Sequence, residues 1–120
     1  MTSAAHFQAL SEEEIIAIAT PIMDNLMDAS TRIDHKAHVR DFSDRLKEIV
    51  TEAHLQQVCE RYQGELGFFT KRELVAVFKR PDSAVIIWKQ FFTKAEGEFV
   101  AELMLIREND KYLVEHVVFF

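Results

Sequence analysis

His116, Gln90, Trp88 and Tyr62 are the side chains of this chain best suited to build a small-molecule site. An imidazole titrates near neutrality and can serve as a general base or a ligand's hydrogen-bond partner. Gln90 could orient a ligand carbonyl, Trp88 could form a pocket wall, and the Tyr62 hydroxyl must find a partner or the pocket mouth. Together they have the make-up of a mostly apolar cavity with a few polar groups, the usual anatomy of such sites. Each also has an ordinary structural role: a buried neutral imidazole, a glutamine bonded to backbone, and two core aromatics. His116 is the one catalytic candidate, and no catalytic set can be assigned around it.

A second cluster is Asp34-His35-Lys36-Ala37-His38-Val39-Arg40-Asp41. On a helix His35 and His38 share a face, so a metal pair is geometrically open. No third ligand accompanies them, and Lys36 and Arg40 oppose a cation. A solvated polar face is expected instead, with no metal and no cofactor. The single cysteine, Cys59, excludes an intrachain disulfide and reads as a small core residue. There is no Gly-rich phosphate loop, no G-x-S-x-G elbow and no zinc-type cysteine spacing.

Composition narrows the setting. The chain has 120 residues, room for one domain, with 14 basic and 20 acidic side chains and a net charge of −6. An acidic chain without a basic run is not expected to bind nucleic acid. Met1 to Leu10 has no Lys or Arg and no apolar run, so it does not read as a secretory signal. No stretch approaches the ~18 apolar residues of a membrane span. A cytoplasmic protein is expected, with residues 1–10 a flexible tail and 11–120 one α+β domain.

Three helical segments must come first. Ser11-Glu12-Glu13-Glu14 is a capping box, followed by Ile15, Ala19, Ile22, Met23 and Leu26 at helical spacing. Pro21 implies either a kink or a restart with Thr20 as cap. Val39, Phe42, Leu46, Ile49 and Val50 form a second pattern that Asp34 can cap and Ser43 can break. Thr51 opens a third, with Leu55, Val58, Cys59, Tyr62 and Leu66 on one stripe and Gly64 and Gly67 placed to end it.

From Phe68 the period changes to two, with four strands at about 69–80, 83–93, 97–107 and 111–120 joined by short loops. This is an antiparallel meander. A two-residue turn at Asn109-Asp110 pairs Leu105 with Val114 and Leu103 with His116. One face then carries Ile86, Trp88, Gln90, Leu103, Leu105, Val114, His116, Val118 and Phe120, and the helices should cover it. The other carries Lys89, Glu102, Met104, Glu115 and Val117, with Lys89 directly opposite Glu102. Apolar yet studded with charge, that second face reads as a homodimer interface. A bulge in either hairpin would invert part of the assignment, and the first strand is ambiguous for that reason.

The order of elements resembles the nuclear-transport-factor-two-like superfamily, also called cystatin-like or SnoaL-like cones. The likeness is carried by Asn25-Leu26-Met27-Asp28, Asp41-Phe42-Ser43-Asp44-Arg45-Leu46-Lys47, Val50-Thr51-Glu52-Ala53-His54-Leu55, Gly67, and the alternating meander. It implies three helices on a curved four-stranded sheet, a pocket in the cone and dimerisation through the sheet. It carries over no catalytic residues. The isomerase type needs a carboxylate base facing a Tyr and a protonated Asp, and the inner face of strands two to four supplies none. Only Glu73 on the first strand offers a carboxylate. The expected protein is a non-enzymatic homodimer that binds a small apolar ligand or a protein partner. The alternative is a small isomerase, dehydratase or cyclase using His116 with Gln90 and Tyr62.

Overall fold

The structure, a computed structural model, describes residues 5–120. Five helices, α1 (His6–Ala9), α2 (Glu12–Arg32), α3 (His35–His38), α4 (Asp44–Ile49) and α5 (Glu52–Glu65), precede four strands. These are β1 (Phe69–Lys79), β2 (Ala84–Phe92), β3 (Phe99–Glu108) and β4 (Lys111–Phe119), in one antiparallel sheet of order β1-β2-β3-β4. The expected α+β meander is therefore present, with five helices where the patterns gave three.

Local chemistry sets the helix starts. Ser11 Oγ accepts from the Glu14 amide while Glu14 reaches back to the Ser11 amide, closing the capping box. Asp34, Ser43 and Thr51 cap α3, α4 and α5, each side chain accepting from the amide three residues on without the reciprocal bond. Ser43 thus does break the second helical pattern in two. α2 runs through Pro21 without a restart, and Thr20 Oγ1 donates to the Ile16 carbonyl instead of acting as a cap. The helix ends at Ile33, whose left-handed backbone (φ 54°) lets its amide and that of Asp34 close the last turn.

Residues 1–4 of the expected tail lie outside the described residues. The rest of it packs onto the domain: Phe7 is buried in the core, and His6 Nε2 sits 2.7 Å from the Tyr112 hydroxyl. Helix α2 crosses the sheet with Ile15, Ala19, Met23, Leu26 and Ala29 buried. Opposite them lie Ala84, Ile86, Trp88, Ala101, Leu103, Leu105 and Val114, all buried on the inner sheet face as the alternation required. A second cluster forms under α5, where Leu55, Cys59 and Tyr62 meet Phe92, Phe69, Phe99 and Phe119.

Two expectations about register are corrected. A loop centred on Ala95-Glu96 is expected to set Ile86 opposite Leu105 and Trp88 opposite Leu103. The turn is centred one residue earlier, so Ile86 faces Leu103 and Trp88 faces Ala101, a shift of two that preserves the faces. Lys89 consequently lies opposite Val100, and its ammonium pairs with Glu98 at 2.6 Å rather than with Glu102. The larger correction is in β4. The Asn109-Asp110 turn, with both residues at positive φ, pairs Leu105 with Val114 as expected, but a bulge follows. Past it Met104 faces His116, Leu103 faces Val117 and Ala101 faces Phe119. His116, Val118 and Phe120 are therefore on the outer side, and Val117 and Phe119 point inward.

Candidate functional site

The bulge decides what lines the cone. A cavity of about 710 Å³ opens between α2, α5 and the inner ends of β1, β3 and β4. Leu26, Leu55, Leu66, Phe69, Phe99, Val117 and Phe119 form apolar walls. The aromatic part is interlocked: Tyr62 meets Phe69 at 5.2 Å and Phe119 at 5.1 Å between ring centres. Edge-on and tilted contacts of this kind hold rings in place beyond their burial alone.

Polar groups enter this wall at two places. Ser30, near the end of α2, and Tyr62 on α5 bring their hydroxyl oxygens to 2.7 Å, with Cys59 Sγ 3.4 Å from Ser30 Oγ. Burial pushes the Tyr62 hydroxyl above its ordinary pKa, against the opposing effect of the Ser30 and Gln63 hydrogen bonds. His38 also lines the cavity, its ring edge-on to Phe42 and its Nδ1 buried without a partner. Burial, with His35 nearby, lowers its pKa to about 4, so the imidazole is neutral at physiological pH. Arg61 and Glu65 stand at the exposed rim, 3.9 Å apart.

Of the four residues singled out in the sequence, Tyr62 alone lines this cavity. Trp88 is buried in the main core under the Arg72 guanidinium, 5.0 Å from its ring, and Arg72 is held in turn by Asp24 at 2.7 Å. Gln90 points inward as expected, but its Nε2 donates to the carbonyls of Lys71 and Phe91, and its Oε1 is buried unpartnered outside the cavity. His116 is on the outer face, with Nε2 3.2 Å from Glu102. The expected His-centred pocket does not form, because the bulge rotates that ring away from the helices. Glu73 is no substitute: it lies opposite Lys89 on the outer side and pairs with Lys71 at 3.4 Å.

The expected dimer surface is corrected at two positions by the same bulge. Val117 is inside, and Glu115 turns to the edge, where Arg45 of α4 holds it. Lys89, Glu102 and Met104 remain outside, joined by His116, and the helices lie on the opposite face. His35 does not pair with His38 as a ligand set, since its Nε2 is bonded to the Val50 carbonyl at 2.8 Å. Among the described residues no group of three or more His, Cys, Asp or Glu side chains is arranged to hold a metal ion.

Sequence reasoning missed Ser30 and the cavity role of His38. The helical stripe continues from Leu26 to Ala29 and Ser30, one turn beyond where the large apolar residues stop, and that spacing was the available signal. For β4 the signal was Glu115-His116, two adjacent polar residues in an otherwise apolar strand, where one extra residue restores the alternation.

No family model matches the chain, and no curated protein matches it. Solved structures do. An NTF-2-like protein of unknown function from Silicibacter pomeroyi superposes with a TM-score of 0.61 at 16% identity, covering 92% of this chain and 98% of that one. The chain has the NTF-2-like, cystatin-like fold. A cystatin-like domain of unknown function from Nostoc punctiforme gives 0.54 at 10% identity, over 92% of this chain and 78% of that one. A Thiobacillus denitrificans protein described as a calcium/calmodulin-dependent protein kinase type II association domain gives 0.59 at 13%, over 83% and 91%. At these identities the likeness is one of NTF-2-like architecture, and the residues lining the cone are this chain's own. Among the described residues no helix is long and apolar enough to cross a membrane.

Proposed function

We propose that this chain is a non-enzymatic, cytoplasmic ligand-binding module that takes a small apolar molecule in the cone and works as a homodimer. The observation that carries the reading is the cavity of about 710 Å³, walled by aromatic and aliphatic side chains with a few polar groups at one end. Its size and make-up are those of a small-molecule pocket. The acid–base inventory supports binding rather than isomerase chemistry. Among the described residues the lining supplies a phenol, a thiol, a serine hydroxyl, the buried His38 imidazole and the exposed His54, and the carboxylate side chain it contains, Glu65, is at the rim beside Arg61.

Dimerisation is supported by the outer sheet face. Val85, Ile87, Phe91, Val100, Met104 and Ile106 lie there, interspersed with Lys89, Glu102 and His116 and turned away from the helical layer. A second copy would cover that apolar surface and meet its charges in alternating sign.

Saturable fluorescence enhancement of Nile red, an uncharged apolar dye, tests the binding reading. Val117→Lys should abolish it and Ala53→Lys, at an exposed position of α5 outside the cavity lining, should leave it intact, with circular dichroism checking both folds. Sedimentation velocity tests the dimer, which Ile87→Glu should dissociate. A wild-type chain that binds no dye would overturn the ligand reading, and a monomeric wild type would overturn the dimer.

A further inference from the structure

The cavity also restricts the chemical class of its occupant, an inference that rests on the ligand-binding reading above. Ser30 Oγ and Tyr62 Oη are 2.7 Å apart, and the two residues are only 7% and 5% exposed. Two hydroxyls joined by a single hydrogen bond use one O–H hydrogen and leave the other to be placed. Gln63 Nε2, 3.4 Å from the Tyr62 oxygen, can only donate. What remains nearby is Cys59 Sγ, 3.4 Å from Ser30 Oγ, and sulfur is a weak acceptor. A ligand oxygen at this end of the cavity would be a stronger acceptor for that hydrogen than the sulfur.

Charge is lacking where that oxygen would sit. Among the described residues lining the cavity, the Asp, Glu, Lys or Arg side chains are Arg61 and Glu65, which are 80% and 68% exposed and face each other across one helical turn. His54 is likewise exposed. An ionised headgroup drawn past this rim would lose its water and find no opposite charge. An oxygen without charge loses far less and can accept from the hydroxyl pair in place of the weaker sulfur. We propose that the cone binds an uncharged apolar molecule bearing a ketone, ester or alcohol oxygen, seated with that oxygen on the Ser30–Tyr62 pair.

Displacement of Nile red by four probes of equal chain length tests this: 2-undecanone, undecan-1-ol, undecanoate and undecylamine, all below their micellar concentrations at neutral pH. The ketone and alcohol should displace the dye at concentrations at least about tenfold lower than either ion. Tyr62→Phe, which keeps the ring, and Ser30→Ala should each weaken the ketone by about three- to tenfold once the dye's own affinity in each variant, measured by direct titration because Nile red also carries a carbonyl, is taken into account. Equal or better competition by either ion would overturn the proposal while leaving ligand binding intact. So would a ketone affinity unmoved in both variants. If Nile red itself does not bind the wild type, the underlying ligand reading fails, and this inference with it.

Discussion

Arg45 on α4 grips Glu115 at the bulge of β4 from two sides, its Nε meeting the carboxylate and its Nη2 the backbone carbonyl. Next to this clamp the chain from Asp41 to Ser43 pairs with Val114, with Val114 N donating to Asp41 O and Ser43 N to Val114 O. Glu115 is thus held at the sheet edge as the extra residue of the strand. Everything beyond it is rotated: Val117 and Phe119 line the cone, and His116 reaches Glu102 on the far side. One ion pair and one backbone contact therefore decide which side chains a ligand meets.

Arg45→Ala should loosen that arrangement. The pair is partly exposed, so the expected loss of stability is modest, about 1 kcal/mol in urea unfolding. The more specific readout is local. Amide exchange over residues 115–119 should quicken while β2 and the centre of β3 stay protected, and dye affinity should fall because two cavity walls depend on the bulge. Unchanged exchange in that stretch would mean that the bulge does not need the clamp.

His38 should make stability depend on pH in a defined window. Its pKa is lowered from 6.5 to about 4 in the folded chain, so the unfolded chain binds the extra proton first as pH falls. The stabilising contribution is complete above the ordinary histidine pKa and is lost as pH drops toward 4. At ~1.4 kcal/mol per pH unit the loss is roughly 3 kcal/mol at most. The comparison to make is wild type against His38→Leu by urea unfolding at several pH values. The wild type should lose more stability than the variant on acidification through this range, and parallel curves would contradict the assignment.

The two glycines near the end of α5 should respond in opposite directions. Gly67 has φ +88°, and a Cβ there would meet Thr93 Oγ1 at 2.2 Å and the Lys94 amide nitrogen at 2.9 Å. Gly67→Ala should therefore cost more than ~1 kcal/mol through left-handed strain and the clash. Gly64 is inside the helix with nothing within 4 Å of its added Cβ. Gly64→Ala should stabilise by about 0.5–1 kcal/mol through helix propensity and a less flexible unfolded chain. Thermal unfolding of the two variants checks the pair, and shifts of the same sign would contradict it.

Much of this architecture was legible because it is written locally. The capping residues Ser11, Asp34, Ser43 and Thr51, the turn at Asn109-Asp110, and the alternation of Ala84 to Phe92 each involve neighbours a few residues apart. The inner positions of β2 and β3 followed from alternation alone, and a register shift of two between the strands left them untouched. His116 was lost because an odd insertion inverts every later side chain, and the side chain that grips that insertion, Arg45, lies seventy residues away. The site was harder still. Ser30 and Tyr62 come from separate helices, and only the packing of α5 on α2 brings their hydroxyls together. Phe7 was missed for a similar reason: a four-residue helix has no periodicity to read, and its burial depends on Tyr112 and the core beneath it.

The most direct measurement is isotope-filtered NOE spectroscopy on labelled protein saturated with 2-undecanone. Cross-peaks from the ligand chain to the Val117 methyls, the Phe119 ring and Leu55 are predicted, with the carbonyl end close to Tyr62. Cross-peaks to Met104 and Val85 without any to Val117 would place the molecule on the outer sheet and contradict both the cavity and the rotation of β4 that builds it.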